Sequence, residues 1–340
     1  MIITRTPLRV SFFGGGTDYP VWYREHGGAV LSTAIDKCCY ITCRRLPPFF
    51  DYSSRISYSK VENVNSNDAI EHPSVRGCLQ FLGITEGIEI HHVADLPART
   101  GLGTSSAFTV GLLLGLYALK EKMRDKHALA QDAIHVEQEL LREAVGAQDQ
   151  VIAAYGGFNR ISFYTDGRVD VKPLLAPSSR ISELQSHLML FFTGFARTAS
   201  EIAKEQVKET PKRKAELATM LQMVDEAEEI ISDPHRPIQE FGRLLHEGWK
   251  LKKGLTDKIT NPQIDEIYDT GLKAGAIGGK LLGAGGGGFM LFFVPPDRRE
   301  HVILALRKLL CVPFAFSAKG SHVVVYEPEA VYESSPKVPA

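Results

Sequence analysis

The run Leu96-Pro-Ala-Arg-Thr-Gly-Leu-Gly-Thr-Ser-Ser-Ala-Phe108 concentrates residue types that could hold a ligand. Gly101 and Gly103 admit backbone conformations that a Cβ forbids, and they let a ligand lie against the main chain. Thr104 and Ser105 favour helix N-caps, and the apolar run Thr109 to Leu119 supplies the helix. A helix starting here turns unpaired amides and a positive dipole end toward the loop. The chemistry is therefore anion binding, with phosphate as the natural ligand. No Gly-Lys-[Ser/Thr] follows, so the loop is not of the Walker type.

Transfer of a phosphoryl group also needs a Mg2+ site and a group that orients and deprotonates the attacking hydroxyl. Glu137 lies on a helix-patterned segment, and Asp149 follows twelve positions later at the start of another. Alone, Glu137 reads as a solvated helix residue and Asp149 as an N-cap. Together, beside a phosphate loop, they read as function. Gly283-Ala-Gly285-Gly286-Gly-Gly288 formally matches GxGxxG, but Phe289 to Val294 continues as a strand where a dinucleotide fold requires a helix. That leaves a tight hairpin without function or a glycine loop packed on the phosphate loop, and the four consecutive glycines favour the second.

At 340 residues, with 44% hydrophobic and 23% charged residues, the chain is long enough for two cores. A net charge of -1 leaves no electrostatic footprint for nucleic acid or for a membrane surface, so the expected partners are small molecules. Five cysteines without zinc spacing suggest reduced thiols in a cytoplasmic protein. The N-terminus lacks a signal core, and no apolar run is long enough to span a bilayer.

The positioning elements follow from periodicity. Ile2 to Phe13, Gly28 to Ile35 and Cys38 to Arg45 read as strands, Leu46 to Asn67 as a strand pair, Pro73 to Leu82 as a helix, and Gly87 to Val93 as the strand feeding the phosphate loop. Asp125 to Leu141 and Gln148 to Tyr155 read as helices, with Asp149 near the start of the second. Phe158 to Phe163 and Val169 to Leu175 return to strand. A loop-like stretch at Ala176 to Ser179 marks the boundary between domains 1–180 and 181–332. Beyond it come a strand at Leu188 to Thr193, helices within Thr198 to Ser232, Pro237 to Lys253 and Pro262 to Ala274, the glycine turn, a helix at His301 to Leu310, and a strand at Val323 to Tyr326. A frayed tail, 333–340, ends the chain. The fold class is two-domain α+β.

The loop resembles the Pro-x3-Gly-Leu-Gly-Ser-Ser-Ala loop of the GHMP kinases, the family of galactokinase, homoserine, mevalonate and phosphomevalonate kinases. The resemblance implies a ribosomal-protein-S5-like N-terminal domain and a ferredoxin-like C-terminal domain. It implies ATP held by Pro97, Arg99, Thr100, Gly101, Leu102, Gly103, Thr104, Ser105 and Ser106. The glycine turn resembles the third family motif, which adds Gly285 and Gly286. It further implies Mg2+ on Ser105 and Glu137, and Asp149 as the base. The segment Arg9-Val-Ser-Phe-Phe-Gly-Gly-Gly-Thr-Asp-Tyr19 resembles the first galactokinase motif. By that match Arg9 supports the base, while Asp18 and Thr17 face the sugar.

Where galactokinase carries Glu-His, this chain has Gly15-Gly16, which opens space and exposes amides for a longer, negatively charged substrate arm. With Phe192-Thr-Gly-Phe-Ala-Arg197, the pattern looks most like the heptose 7-phosphate kinase branch of bacterial surface-polysaccharide synthesis. That branch implies transfer to the anomeric hydroxyl and a cation for the far phosphate: Arg197 first, then Lys37, Arg44, Arg45 or Lys204. A homodimer is compatible with it. The alternatives are an anomeric kinase of an unphosphorylated sugar, such as fucose or galactose, and a catalytically silent sugar and nucleotide sensor.

Overall fold

The computed structural model describes residues 1–98, 100–194 and 199–328. Arg99, Arg197 and the tail at 333–340 lie outside the described residues. In chain order the first half runs β1 (Ile2–Phe13), α1 (Pro20–His26), β2 (Gly28–Arg45), β3 (Ser54–Ser57), β4 (Val61–Val64), α2 (Pro73–Leu82), β5 (Ile88–Ala94), α3 (Thr104–Leu119), α4 (Lys126–His135), a π turn at Val136–Leu140, α5 (Gln148–Tyr155), β6 (Phe158–Phe163) and β7 (Val169–Pro173). The second half adds α6 (Ser178–His187), β8 (Leu188–Phe192), α7 (Ala199–Glu209), α8 (Lys214–Ser232), α9 (Gln239–Lys253), α10 (Pro262–Lys273), β9 (Gly278–Leu281), β10 (Phe289–Phe293), α11 (Arg299–Ala305), β11 (Leu310–Val312) and β12 (His322–Tyr326).

Two sheets result, which is the expected α+β architecture. The first is ordered β12-β1-β2-β5-β3-β4, with β6 on the other half of β2 and β7 beyond it. β2 is one strand where the sequence reads as two. Gly28–Thr33 pairs with β6 and Cys39–Arg45 with β5, while β1 runs beside both halves. The second sheet, β11-β8-β10-β9, is antiparallel throughout.

α3 is apolar on every side and is buried along almost its whole length. It sits close on the first sheet because Gly111 and Gly115 present no side chain there. A Cβ at Gly111 would come within 2.6 Å of Thr6 Oγ1, and one at Gly115 within 2.6 Å of Cys43 Sγ. The Thr4 hydroxyl donates to Gly111 O at 2.9 Å and fixes the register of helix on strand.

Several elements differ from expectation. α1 starts with a proline at its first turn and buries Trp22 and Tyr23. α6 follows Pro177 and buries Arg180, Leu184 and His187. The segment read as a helix over 301–310 ends at Ala305, and β11 follows, pairing with β8. The expected helix over 125–141 is α4 followed by the π turn, in which Leu141 N donates to Val136 O at 2.9 Å. The expected boundary after residue 180 falls inside α6; the strands before it belong to the first sheet and those after it to the second, except β12, which crosses back to pair with β1. Among the described residues no helix is long and apolar enough to cross a membrane, and the five cysteines are free.

Candidate active site

The first turn of α5 presents Gln148, Asp149 and Gln150 to three different acidic or basic partners. Asp149 accepts two parallel hydrogen bonds from Arg9, Nε to Oδ1 at 2.7 Å and Nη2 to Oδ2 at 2.8 Å. That bidentate fork fixes the position of the carboxylate. Arg9 is 5% exposed on β1. Its third contact is Nη1 to Gly101 O at 2.6 Å, and its amide donates to Leu102 O at 3.1 Å. One arginine thus ties the carboxylate to the phosphate loop.

Gln148 donates from Nε2 to Asp18 Oδ2 at 3.0 Å, and Gly16 N donates to Asp18 Oδ1 at 2.9 Å. Asp18 is buried, and burial pushes its carboxyl up, with the neighbouring Asp149 charge adding to the rise. Gly146 leaves room for it, since a Cβ there would overlap Asp18 Oδ2 at 1.8 Å. Thr17 is not free to face a sugar. Its hydroxyl donates to Gly14 O at 2.7 Å and Ala29 O at 2.9 Å, which makes it a buried fastener of this loop. The space expected at Gly15 and Gly16 exists at only one of them. A Cβ at Gly15 would meet only Gln148 Nε2 at 3.8 Å. At Gly16 it would meet Gln206 Nε2 at 2.9 Å and Leu217 Cδ2 at 3.1 Å, because α7 and α8 already fill that side.

Gln150 and Ser106 both donate to Glu137 Oε2, Ser106 from Oγ at 2.8 Å. Glu137 is fully buried on the π turn, and its Oε1 has no partner. Burial pushes its carboxyl up to about 7, against the donors that favour ionisation. π turns recur at functional positions, and this one carries a carboxylate with no exposed surface. The hydroxyl at Glu137 is Ser106. Ser105, one residue earlier and about 100° round the helix, is exposed. An orphaned, buried carboxylate oxygen fits a cation, and Mg2+ needs few protein oxygens when waters and phosphates complete its shell. No larger cluster of metal-binding side chains occurs among the described residues.

The phosphate loop has the expected left-handed glycines, Gly101 at φ +83° and Gly103 at φ +73°. The helix cap is Gly103 itself rather than Thr104 or Ser105, and it makes no side-chain cap hydrogen bond. A Cβ at Gly103 would press on Asp149 Oδ2 at 3.2 Å and Arg9 Cγ at 3.3 Å. Thr100 Oγ1 donates to Pro97 O at 2.8 Å and closes the loop from the other side. Leu102 is fully buried in the core beneath it.

The glycine turn packs on this loop and is more than a tight hairpin. A Cβ at Gly283 would lie 2.4 Å from Gly101 Cα, and one at Gly288 would lie 2.3 Å from Thr100 O. Gly285 and Gly286 face the other way. Gly286 N donates to Ile259 O at 2.9 Å, and a Cβ at Gly285 would meet Ile259 Cα at 2.7 Å.

Of the cations expected for a far phosphate, Arg44 pairs with Glu89 at 2.6 Å and Lys37 with Asp36 at 3.5 Å. Arg44 and Arg45 lie about fifteen residues along β2 from Ala29, roughly 50 Å of strand from the Asp18 loop, so the fold does not bring them to the site. Lys204 is exposed on α7, the helix that reaches Gly16 through Gln206.

Four residues escaped the sequence reading. Gln148 and Gln150 flank Asp149 in the sequence, and their amides are the signal that could have found them. Lys252 and Lys280 are buried lysines of the second half that reach the glycine turn and β1.

Comparison with known proteins agrees with this geometry. Residues 73–157 match the model described as GHMP kinases N terminal domain, and residues 225–310 that described as GHMP kinases C terminal. A D-glycero-alpha-D-manno-heptose 7-phosphate kinase from Campylobacter jejuni is 32% identical over 90% of this chain and 93% of its own length. A bifunctional fucokinase/GDP-fucose pyrophosphorylase from Arabidopsis thaliana is 27% identical over 82% of this chain, which spans 28% of that longer protein. The crystal structure of a D-glycero-D-manno-heptose 1-phosphate kinase from Bacteroides thetaiotaomicron superposes with a TM-score of 0.75 at 26% identity, covering 98% of this chain and 100% of that one.

Proposed function

The chain belongs to the GHMP kinase family and is a phosphotransferase that acts on a sugar hydroxyl, and from that premise we propose that it phosphorylates the anomeric hydroxyl of a D-glycero-D-manno-heptose 7-phosphate. The product is the 1,7-bisphosphate, and the donor is ATP with Mg2+. The observation that carries the reading is the Arg9–Asp149 fork, set against the phosphate loop with Asp18 alongside. The similarity to the heptose 7-phosphate kinase supports the choice of sugar.

In this reading the loop from Pro97 to Ser106 cradles the phosphates against the start of α3. Glu137 would hold Mg2+, with Ser106 and Gln150 orienting its carboxylate and the exposed Ser105 hydroxyl, on the neighbouring face of α3, as the second oxygen. Bound there, Mg2+ neutralises charge on the phosphate oxygens. Asp18 accepts hydrogen bonds from sugar hydroxyls, and Asp149 accepts the proton of the anomeric one. The new O–P bond forms as the bond to the ADP oxygen breaks, and the proton stays on Asp149 until release. Arg9 keeps the Asp149 carboxylate aimed. Residues 1–180 supply the phosphate loop and base, and 181–332 the glycine turn, with β12 returned to the first sheet.

The relative named a heptose 1-phosphate kinase motivates a second reading, transfer at the other end of a heptose 1-phosphate. The fucokinase relative motivates a third, an unphosphorylated sugar. A silent sensor fits poorly with an intact Arg9–Asp149 pair. Measuring kcat/KM on heptose 7-phosphate, heptose 1-phosphate, free heptose and fucose, with phosphorus NMR of each product, separates them. Preference for the 1-phosphate or for a free sugar would overturn the assignment.

A further inference from the structure

Two ammonium groups are buried at the junction of the two sheets, and neither meets a carboxylate. Lys252, on α9, donates from Nζ to Gly283 O and to Leu281 O, the latter at 3.4 Å. Lys280, on β9, donates to Ser11 O at 3.0 Å and Phe12 O at 2.7 Å. Their exposures are 6% and 7%. Burying a cation without an anion is costly, and a fold that needed only packing here would do better with a methionine or leucine. The location explains the exception. Lys252 holds the carbonyl of the glycine whose Cα rests against Gly101, and Gly101 O in turn receives Arg9 Nη1.

We propose that Lys252, as an ammonium, is a positioning residue for phosphoryl transfer: it fastens the glycine turn onto the phosphate loop and thereby holds Arg9 and Asp149 in register. Lys280 assists from the next strand by anchoring the end of β1, from which the Gly14–Asp18 loop departs. Charge matters because a charge-assisted bond is about twice as strong as a neutral one. The charged groups that act on Lys252 are Arg9, Asp18 and Asp149, and Lys252 in turn lowers Lys280. Burial first, and then Arg9, lower the Lys252 ammonium to about 8, with Asp18 and Asp149 opposing. The fastening therefore weakens within an accessible pH range.

Stability moves the opposite way. A lysine depressed in the folded state adds stability that is full above its unfolded value and is lost as pH falls through the folded one. Raising the pH through 8 thus removes the working form of Lys252 while its contribution to folding grows. A structural lysine would not divide activity from stability in this manner.

The proposal rests on Asp149 as the proton acceptor, so Lys252→Met, Lys252→Arg and Asp149→Asn are compared with the wild-type chain. The readings are kcat against pH, KM for ATP and melting temperature. Lys252→Met is expected to lower kcat roughly 100-fold, the scale of a small misplacement of reacting groups. Its melting temperature should stay the same or rise, its KM for ATP should stay within about threefold, and its alkaline limb should vanish. Lys252→Arg should recover part of kcat and carry the wild-type limb, near pH 8, upward by a unit or more. If Lys252→Arg fails to fold, Lys252→Met still decides. Wild-type kcat in Lys252→Met, an unchanged alkaline limb, or a kcat loss matched by a fall in melting temperature would overturn the proposal. Turnover retained in Asp149→Asn would defeat the reading of Asp149 and this proposal together; turnover lost there but retained in Lys252→Met would defeat this proposal alone.

Discussion

Arg9 and Asp149 stand 140 positions apart in the chain and meet through two parallel hydrogen bonds of 2.7 and 2.8 Å. Around that fork, three successive residues of α5 serve three groups: Gln148 serves Asp18, Asp149 serves Arg9, and Gln150 serves Glu137. Asp18, Asp149 and Glu137 therefore share one helical turn as their frame. Small movements of α5 should disturb all three carboxylates at once.

Glu137 makes the metal-free protein sensitive to pH. Its carboxyl is raised by burial to about 7 from 4.5. A raised group adds stability that is complete below the unfolded value and is lost as pH rises through the folded one. Melting temperature in the absence of Mg2+ should therefore fall between about pH 5 and 8 by this contribution, and Glu137→Gln should flatten the slope. Scanning calorimetry across that range checks it, and an unchanged slope in Glu137→Gln would remove Glu137 as the cause.

Turnover should show the same group as a metal ligand. Glu137→Gln and Ser105→Ala are expected to raise the Mg2+ concentration needed for half-maximal rate, with partial rescue at high Mg2+. Ser106→Ala should weaken turnover less than Glu137→Gln, because it removes one of two donors to Oε2. Metal titrations of the three variants check this, and a rate independent of divalent cation would contradict the whole metal assignment.

The glycine turn is expected to tolerate no side chain where it meets the phosphate loop. Gly288→Ala combines φ +108° with a Cβ 2.3 Å from Thr100 O, and Gly283→Ala would collide with Gly101. Each should cost about 2 kcal/mol or more and raise KM for ATP, since the loop must shift to make room. Gly167→Ala, at a positive φ but in open space, is the control for backbone strain alone.

Gly15 and Gly16 are expected to part company. Gly15→Glu should fold, because nothing but Gln148 Nε2 lies near its Cβ, and it should penalise a phosphorylated substrate more than the free sugar. Gly16→Ala should destabilise, because Gln206 and Leu217 press on that side at φ +108°. Arg197→Ala, if that residue receives the far phosphate, should cost the phosphorylated substrate selectively by about 2 kcal/mol. The ratio of kcat/KM for heptose 7-phosphate and free heptose measures both effects; equal losses on the two substrates would move the phosphate pocket elsewhere.

What was legible in the sequence was whatever local chemistry dictates. Pro73–Leu82 carries its own start and stop, with a proline at the first turn and Gly83 in the left-handed conformation at the end. The phosphate loop and the glycine turn announce themselves by composition, and their contact follows because only glycines pack backbone on backbone. The π turn was hidden because the 3.6-residue pattern of α4 runs on through it, and one inserted residue leaves no mark in composition. The choice between Ser105 and Ser106 turns on a single residue of helix start, which N-cap preferences do not resolve when a glycine takes the cap. α6 begins inside the loop-like stretch at 176–179 and leaves no mark of its own before Leu188, because it buries only an arginine, a leucine and a histidine. The packing at Gly16 comes from Gln206 and Leu217, nearly two hundred positions away, and the roles of Lys252 and Lys280 contradict the usual exposure of lysine. Long-range burial of polar residues is the part that a single sequence does not spell out.

The most direct measurement is the turnover of Asp149→Asn alongside its affinity for ATP. The substitution keeps the shape and one acceptor for Arg9 but removes the anion that takes the proton. A fall in kcat by roughly 100-fold to 10,000-fold, with ATP affinity within a few-fold of wild type, is expected if Asp149 accepts the proton of the sugar hydroxyl. Turnover near the wild-type value would contradict it, and would reduce the Arg9–Asp149 fork to a structural tie between β1 and α5.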